Sequence, residues 1–341
     1  MPRSTIAQLP TGRQPLSHRS LVGFRWRDQC VVATRHDFDG SARVAERTVL
    51  LLLNAGPAPR AGNSDLSVKL ADASACAGIP AVRIDVPGVG DSTGASVRRL
   101  EEFRVAAQEG PLDDCIAHVA RTLLESERSQ RIVLGGLCAG SVLAIRASAR
   151  LRERCGGLLL LEPDLMRAAP STRDSARDTR MRRFVRRAAR ALERRRWGRW
   201  IGTPAMRILE RDDPQGLPSG VHAGLVAELV AATARSTPAL VVAARGLECE
   251  RVVSAIVRRF PAAGSHISLE VVSGTNHILT AGDAASRVVP CLANWLRDAV
   301  SGNQSSDRSA SGSSVVECAP EDACAIGDRF GDAVAFGRSH A

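Results

Sequence analysis

The segment Arg131-Ile-Val-Leu-Gly-Gly-Leu-Cys138-Ala-Gly-Ser-Val-Leu-Ala-Ile145 decides the fold that the sequence predicts. An apolar run leads into the turn Gly136-Leu-Cys138-Ala-Gly140, and an Ala-rich stretch that favours a helix follows it. The segment therefore predicts a strand, a sharp turn and a helix. Glycines two residues before and after a central residue are typical of a nucleophile elbow, a strained turn without room for larger side chains. Cys138 is thus a candidate nucleophile, and an inert buried cysteine is the alternative.

The rest of the chain alternates between apolar runs and helical patterns, which predicts a doubly wound, mostly parallel sheet. The alternation breaks at Pro163 and resumes at Pro238, and the residues between are rich in Arg, Asp and Ala. We expect five parts: a flexible arm over residues 1–20, a first core part over 21–163, an Arg-rich helical cap over 164–237, a second core part over 238–300 and a flexible tail over 301–341. Residues 21–27 and 30–36 alternate in polarity and predict an antiparallel hairpin before the first parallel strand.

Composition excludes several classes of protein. The nine cysteines lack the spacing of a metal site or a disulfide framework, which favours a reducing, cytoplasmic location and no metal. No apolar run is long enough to cross a bilayer, and the N-terminus lacks a hydrophobic leader. The segment Gly88-Val-Gly90 lacks the third glycine of a dinucleotide loop at the right place, so we expect no nucleotide cofactor. We therefore expect an intracellular protein without a cofactor.

Cys138 and His277 each follow a predicted strand. Residues just after parallel strands converge at one edge of an open sheet, where ligands bind. His277 ends the small-residue loop Ser273-Gly-Thr-Asn-His277 after the last strand, and an imidazole there can activate a thiol. These positions predict a nucleophile and its base.

The acid that would orient His277 is harder to place. Leu247 stands in the loop after strand 239–244, where a carboxylate is commonest. Glu248 is the candidate, because a longer carboxylate one residue further on can still reach the imidazole N–H. Glu250 and Asp164 are the alternatives. A thiol nucleophile also tolerates a weak or missing acid.

Two backbone N–H groups would stabilise an oxyanion at this site. One belongs to Ala139, at the start of the helix after Cys138, and the other is expected in the turn Asn54-Ala55-Gly56, at Ala55. A plain strand-ending turn is the alternative for residues 54–57.

The motifs N-A-G-P (54–57), D-V-P-G-V-G-D-S (85–92) and G-L-C-A-G (136–140) together resemble those of α/β hydrolases of the serine-aminopeptidase-like type. Over residues 20–300, with a basic cap segment that contains Trp, the chain most resembles bacterial hydrolases associated with exosortase systems. The resemblance implies an α/β-hydrolase fold with an inserted helical cap, a Cys or Ser nucleophile at 138, a histidine at 277 and an acid in the loop after Ala244.

The cap carries most of the net charge of +10, because residues 180–199 hold ten arginines and one acid. Apolar residues recur there at helical spacing, so the segment predicts a basic amphipathic helix that packs as a solvated lid. The alternative is that Arg183, Arg187 and Arg190 bind an acidic acyl-carrier protein, coenzyme A phosphates or an anionic membrane, the last placing the protein at the inner face of the membrane. Nucleic acid is not expected, because the chain has no Tyr and only seven Phe to stack on bases.

The sequence therefore predicts an enzyme that cleaves a small-molecule ester or thioester through an acyl intermediate on Cys138, which His277 activates. An acyltransferase that passes the acyl group to an amine or alcohol is the alternative within catalysis. A degenerate hydrolase fold that binds a partner without catalysis is the second alternative, and Leu247 supports it.

Overall fold

A nine-stranded sheet forms the centre of the protein in the computed structural model, which describes residues 17–38, 48–126, 129–168, 216–300 and 316–317. The strand order is β1-β2-β4-β3-β5-β6-β7-β8-β9. The first two strands form an antiparallel hairpin, and β2 also pairs antiparallel with β4. All later pairs are parallel. The bounds are β1 Ser17–Trp26, β2 Gln29–Phe38, β3 Thr48–Leu53, β4 Ala81–Ile84, β5 Arg131–Leu137, β6 Cys155–Leu161, β7 Ala239–Ala244, β8 Ile267–Val272 and β9 Val316–Glu317.

Helices cover both faces of the sheet, because the parallel strands carry apolar side chains on both sides. In β3, Val49, Leu51 and Leu53 pack on one face, whereas Leu50 and Leu52 pack on the other. The bounds are α1 Leu66–Cys76, α2 Leu100–Glu109, α3 Leu112–Ser126, α4 Ala139–Leu151, α5 Ala223–Ala234, α6 Glu248–Arg259, α7 Pro261–Gly264 and α8 Ala284–Val300. Helices α1 and α8 contribute to the core of one face, and α2 to α6 contribute to that of the other.

The doubly wound α/β architecture that the sequence predicts is confirmed, including the hairpin ahead of the parallel strands. Helix α2 was not expected, because its sequence LEEFRVAAQE is short and polar and follows a loop without a clear N-cap residue. Val316–Glu317, in the segment expected to be a flexible tail, pairs with β8. Residues 169–215, which make up most of the expected cap, lie outside the described part of the chain.

Candidate active site

Cys138 occupies a sharp turn between β5 and α4. Its backbone has φ 55° and ψ −118°, a conformation that L-residues rarely adopt. Its N–H donates to the carbonyl of Leu161 at 2.8 Å, which ties the turn to the end of β6. The turn therefore has the geometry of a nucleophile elbow, in which Cys138 projects beyond the end of β5.

Glycine is required on both sides of Cys138. A Cβ at Gly136 would lie 2.5 Å from the carbonyl carbon of Gly140, and a Cβ at Gly140 would lie 2.4 Å from the carbonyl oxygen of Asn54. Both distances are shorter than any real carbon contact. The G-x-C-x-G spacing thus lets the elbow, its helix and the turn after β3 approach closely.

His277 reaches the elbow from the loop after β8. Its Nδ1 lies 2.9 Å from Oε2 of Glu162, and its ring also hydrogen-bonds Cys138. Glu162 is fully buried and is the first residue after β6. Its second carboxylate oxygen, Oε1, accepts a hydrogen bond from the N–H of Ala244 at the end of β7. The carboxylate is therefore held from two sides and fixes the ring of His277.

The acid expected after β7 is not the residue that contacts His277. Glu248 begins α6 in an exposed position, and Glu250 accepts a hydrogen bond from the N–H of Gly246 at 2.6 Å. Asp164 forms an ion pair with Arg104. None of these three carboxylates bonds to the imidazole, so the choice of Glu248, with Glu250 and Asp164 as alternatives, is corrected to Glu162.

Strand register explains why Glu162 reaches the site. Leu137 and Leu161 are partners across the parallel pair β5 and β6, so Cys138 and Glu162 leave neighbouring strands at the same level. The signal was present in the sequence, because Glu162 directly ends the apolar run of β6. It also satisfies the chain order of nucleophile, acid and histidine. The register between two strands, however, cannot be read from either strand alone.

The electrostatics favour a charged imidazole. The hydrogen bond with Cys138, followed by the one with Glu162, raises the pKa of His277 to about 10. Neighbouring negative charge stabilises the imidazolium, and this outweighs the opposing effect of partial burial. His277 thus retains its proton at neutral pH when Cys138 is a thiolate.

A buried polar cluster holds the turn that faces the elbow. The side chain of Asn54 donates to the carbonyl of Ala58 at 2.9 Å and to Asp85 at 3.0 Å, and it accepts from the N–H of Val86 at 2.7 Å. The carboxylate of Asp85 also accepts from Arg60, whose guanidinium lies 2.5 Å away. The motifs N-A-G-P and D-V-P-G-V-G-D-S are therefore bonded to each other through Asn54 and Asp85.

A pocket of about 650 Å³ opens over Cys138 and His277. Ala55, in the turn after β3, lines it. Ala139 begins α4, and N–H groups in the first turn of a helix have no partner within the helix. The two expected oxyanion donors thus belong to the elements that border the pocket.

The remaining expectations concern metals, membranes and the cap. Within the described residues, no group of three or more His, Cys, Asp and Glu side chains could hold a metal ion. No helix in the same part of the chain is long and apolar enough to cross a membrane. Arg183, Arg187 and Arg190 lie outside the described residues.

A family model described as the alpha/beta hydrolase fold matches residues 48–240, which is more than half of the chain. The chain belongs to the α/β-hydrolase fold family. No curated protein matches the sequence significantly. Many solved structures share the fold of this α/β hydrolase, among them the following two. The esterase Pf2001 of Pyrococcus furiosus has 14% identity and a TM-score of 0.51, with 87% of this chain and 96% of that chain covered. The ferulic acid-bound Est1E of Butyrivibrio proteoclasticus has 13% identity and a TM-score of 0.53, with 82% and 99% covered.

Proposed function

We propose that this α/β hydrolase cleaves an ester or thioester through an acyl intermediate on Cys138. His277 carries the proton, and Glu162 orients the ring of His277. The observation that carries the proposal is the hydrogen-bonded series of Cys138, His277 and Glu162, of which Cys138 and His277 line one pocket. The name of the similar Pyrococcus furiosus structure, an esterase, supports this choice of reaction.

In the first half of the reaction, the sulfur of Cys138 attacks the carbonyl carbon of the substrate. The N–H of Ala139 and a donor from the turn at Ala55 stabilise the oxyanion, and each such donor typically contributes about 3 kcal/mol. The intermediate collapses, the bond to the leaving group breaks, and His277 protonates the leaving alcohol or thiol. An acyl thioester on Cys138 and a neutral imidazole remain.

In the second half, neutral His277 takes a proton from water as the water oxygen attacks the thioester carbonyl. The C–S bond breaks, the acid product leaves, and the thiolate and imidazolium are restored. An amine or alcohol in place of water would give acyl transfer by the same steps. The proposed partner is accordingly a small-molecule acyl ester or thioester, and the cap arginines would recruit an acyl-carrier protein, coenzyme A or an anionic membrane.

Intact-mass analysis with limiting iodoacetamide and with a panel of acyl thioesters and p-nitrophenyl esters tests the proposal. We expect alkylation and transient acylation of Cys138, both of which Cys138→Ala abolishes. Cys249→Ala is the matched control, because Cys249 is also buried and burial raises the pKa of its thiol. Labelling of other cysteines while Cys138 stays unmodified would exclude the mechanism. Acyl product that shifts to an added amine would identify a transferase, and no acylation by any donor would favour a binding protein.

A further inference from the structure

The pocket over Cys138 has an apolar wall and, besides His277, one cationic side chain. Its larger aliphatic side chains come from the loop before α2, the start of α2, the end of β5 and the histidine loop, and they are Val89, Val97, Leu100, Leu137 and Ile278. Leu100 and Ile278 are 43% and 40% exposed, so this part of the apolar wall is open to a ligand. Arg98 lines the same pocket. The chemistry of the lining thus suits a ligand that is apolar along its length and negatively charged at one point.

Arg98 differs from other arginines around the site because no carboxylate of the described residues pairs with it. Arg60 pairs with Asp85 and Asp91, and Arg104 pairs with Asp164. The only polar contact of the Arg98 side chain within the described residues is from Nε to the hydroxyl of Ser96, at 3.3 Å. A guanidinium offers five N–H donors in a planar fork that matches a carboxylate or phosphate. Its donors are therefore available to an anionic ligand.

The backbone around Arg98 is held in place rather than free. The N–H of Val97 donates to the carbonyl of Gly88 at 3.0 Å, and the N–H of Gly88 donates to Thr93 at 3.1 Å. Gly88 has φ 81°, and a Cβ there would lie 2.0 Å from the carbonyl oxygen of Ala95. The two ends of the loop therefore pack directly on each other, which fixes the start of the Arg98 side chain at the pocket.

We infer that Arg98 selects acyl donors that carry a carboxylate or a phosphate within reach of the pocket, with an apolar acyl chain against Leu100 and Ile278. The inference rests on the proposed function in one respect, namely that an acyl carbonyl reacts at Cys138. The contact between Arg98 and an anion does not depend on that reaction. The negative charge has two sources, a carboxylate at the far end of the acyl chain or a phosphate on the leaving group. This site is separate from the cap arginines in sequence and belongs to the same pocket as Cys138.

Binding of unreactive probes tests the contact independently of catalysis. Calorimetry would compare adipamate with hexanamide for the acyl source, and 4′-phosphopantetheine with pantetheine for the leaving-group source. The proteins are the wild type, Arg98→Gln and the control Arg99→Gln, whose arginine lies one residue further on and faces Glu102 at 3.9 Å. Because a hydrogen bond to a charged group is stronger than a neutral one, we expect one anionic probe to bind the wild type about tenfold more tightly than its neutral partner.

The ratio of the affinities for the anionic and the neutral probe should fall to about one in Arg98→Gln. It should remain at the wild-type value in Arg99→Gln. Equal loss in both variants would overturn the inference in favour of a diffuse positive field, and equal binding of each pair by the wild type would overturn it outright. Turnover of mono-p-nitrophenyl adipate and p-nitrophenyl hexanoate, measured in parallel with Cys138→Ala, separates this outcome from failure of the proposed function. A binding preference without Cys138-dependent turnover would support the anion site and refute the hydrolase.

Discussion

His277 is held between Cys138 and the buried carboxylate of Glu162, whose Oε2 lies 2.9 Å from Nδ1 of the imidazole. The other carboxylate oxygen is bonded to the backbone of Ala244, so the carboxylate cannot rotate away without breaking two contacts. Strands β5, β6 and β7 and the loop after β8 thus each supply a part of one hydrogen-bonded series. The sheet positions all of them relative to each other.

Removal of the charge on Glu162 should therefore impair catalysis more than removal of the acids first expected. We expect Glu162→Gln to lower kcat on the order of 100-fold, because an orienting carboxylate matters less beside a thiol than beside a hydroxyl. Glu248→Gln and Glu250→Gln are matched controls and should stay within about twofold, because neither carboxylate contacts the imidazole. Steady-state kinetics on a p-nitrophenyl ester measures all three, and a larger loss in Glu248→Gln than in Glu162→Gln would contradict this assignment.

The difference between expectation and structure at the acid has a physical cause. The elbow at Cys138 and the loop at His277 are marked by local sequence, namely two glycines around a turn and a short loop after an apolar run. Glu162 is defined only by its neighbours on β5 and β7, and those contacts depend on strand order and register. The ion pair between Arg104 and Asp164 likewise depends on the fold and not on local sequence, because the two residues are 60 positions apart. With Glu162 in contact with His277, Leu247 no longer argues for a degenerate site.

The pH dependence should follow the raised pKa of His277. Because the imidazolium persists up to about pH 10, protonation of the leaving group should be lost as the pH rises through that value. We expect kcat/KM for an alkyl ester to fall above about pH 10, whereas a p-nitrophenyl ester, whose leaving group needs no proton, should fall less. Circular dichroism over the same range checks that the fold persists.

Cys138→Ser provides the control for this profile. It removes the largest cause of the raised pKa, and a serine needs neutral His277 as its base. The residual activity of Cys138→Ser should increase with pH. This increase should occur at a lower pH than the decrease in wild-type activity. A wild-type profile that increases near the ordinary pKa of imidazole, like that of a serine hydrolase, would contradict a thiolate–imidazolium pair.

Asn54 should act on the reaction through the position of the turn at Ala55. Asn54→Ala would leave the buried N–H of Val86 and the carbonyl of Ala58 without their partner. We expect a loss of about 2 kcal/mol in the free energy of unfolding and about a tenfold loss in kcat with little change in KM. The control Asn294→Ala alters an exposed residue of α8 and should change neither quantity. A change in stability alone would limit Asn54 to a structural role.

The cap arginines remain a prediction from the sequence. Charge reversal at Arg183, Arg187 and Arg190 should weaken turnover of an anionic acyl donor and leave that of a small neutral ester unchanged. The effect should decline with added salt, because charges on a surface are screened over about 8 Å at physiological ionic strength. Identical kinetics for both substrates at low and high salt would assign the expected cap segment the role of a solvated lid.

Glu228, on α5, lies in a polar cluster between α3, α4 and α5 whose residues do not line the pocket over Cys138. Burial raises the pKa of its carboxyl to about 7, and Asp113 adds to the rise while Arg146 opposes it. Within the described residues, Glu228 Oε2, Asp113 Oδ1 and Arg146 Nε are buried without a hydrogen-bond partner. The native protein therefore keeps Glu228 protonated over a pH range in which the unfolded chain ionises it.

The stability of the protein should consequently decrease as the pH rises from about 4.5, the ordinary pKa of this group, to about 7, because the native state binds the extra proton in this range. Glu228→Gln cannot ionise, so it should become more stable than the wild type above pH 7 by about 3 kcal/mol and match it at low pH. Urea unfolding at several pH values measures the difference. Glu125→Gln, an exposed change on α3, should keep the wild-type pH dependence. If Glu228→Gln showed the same pH dependence of stability as the wild type, Glu228 would be ionised in the native state. The positive charge of Arg146 would then stabilise its carboxylate.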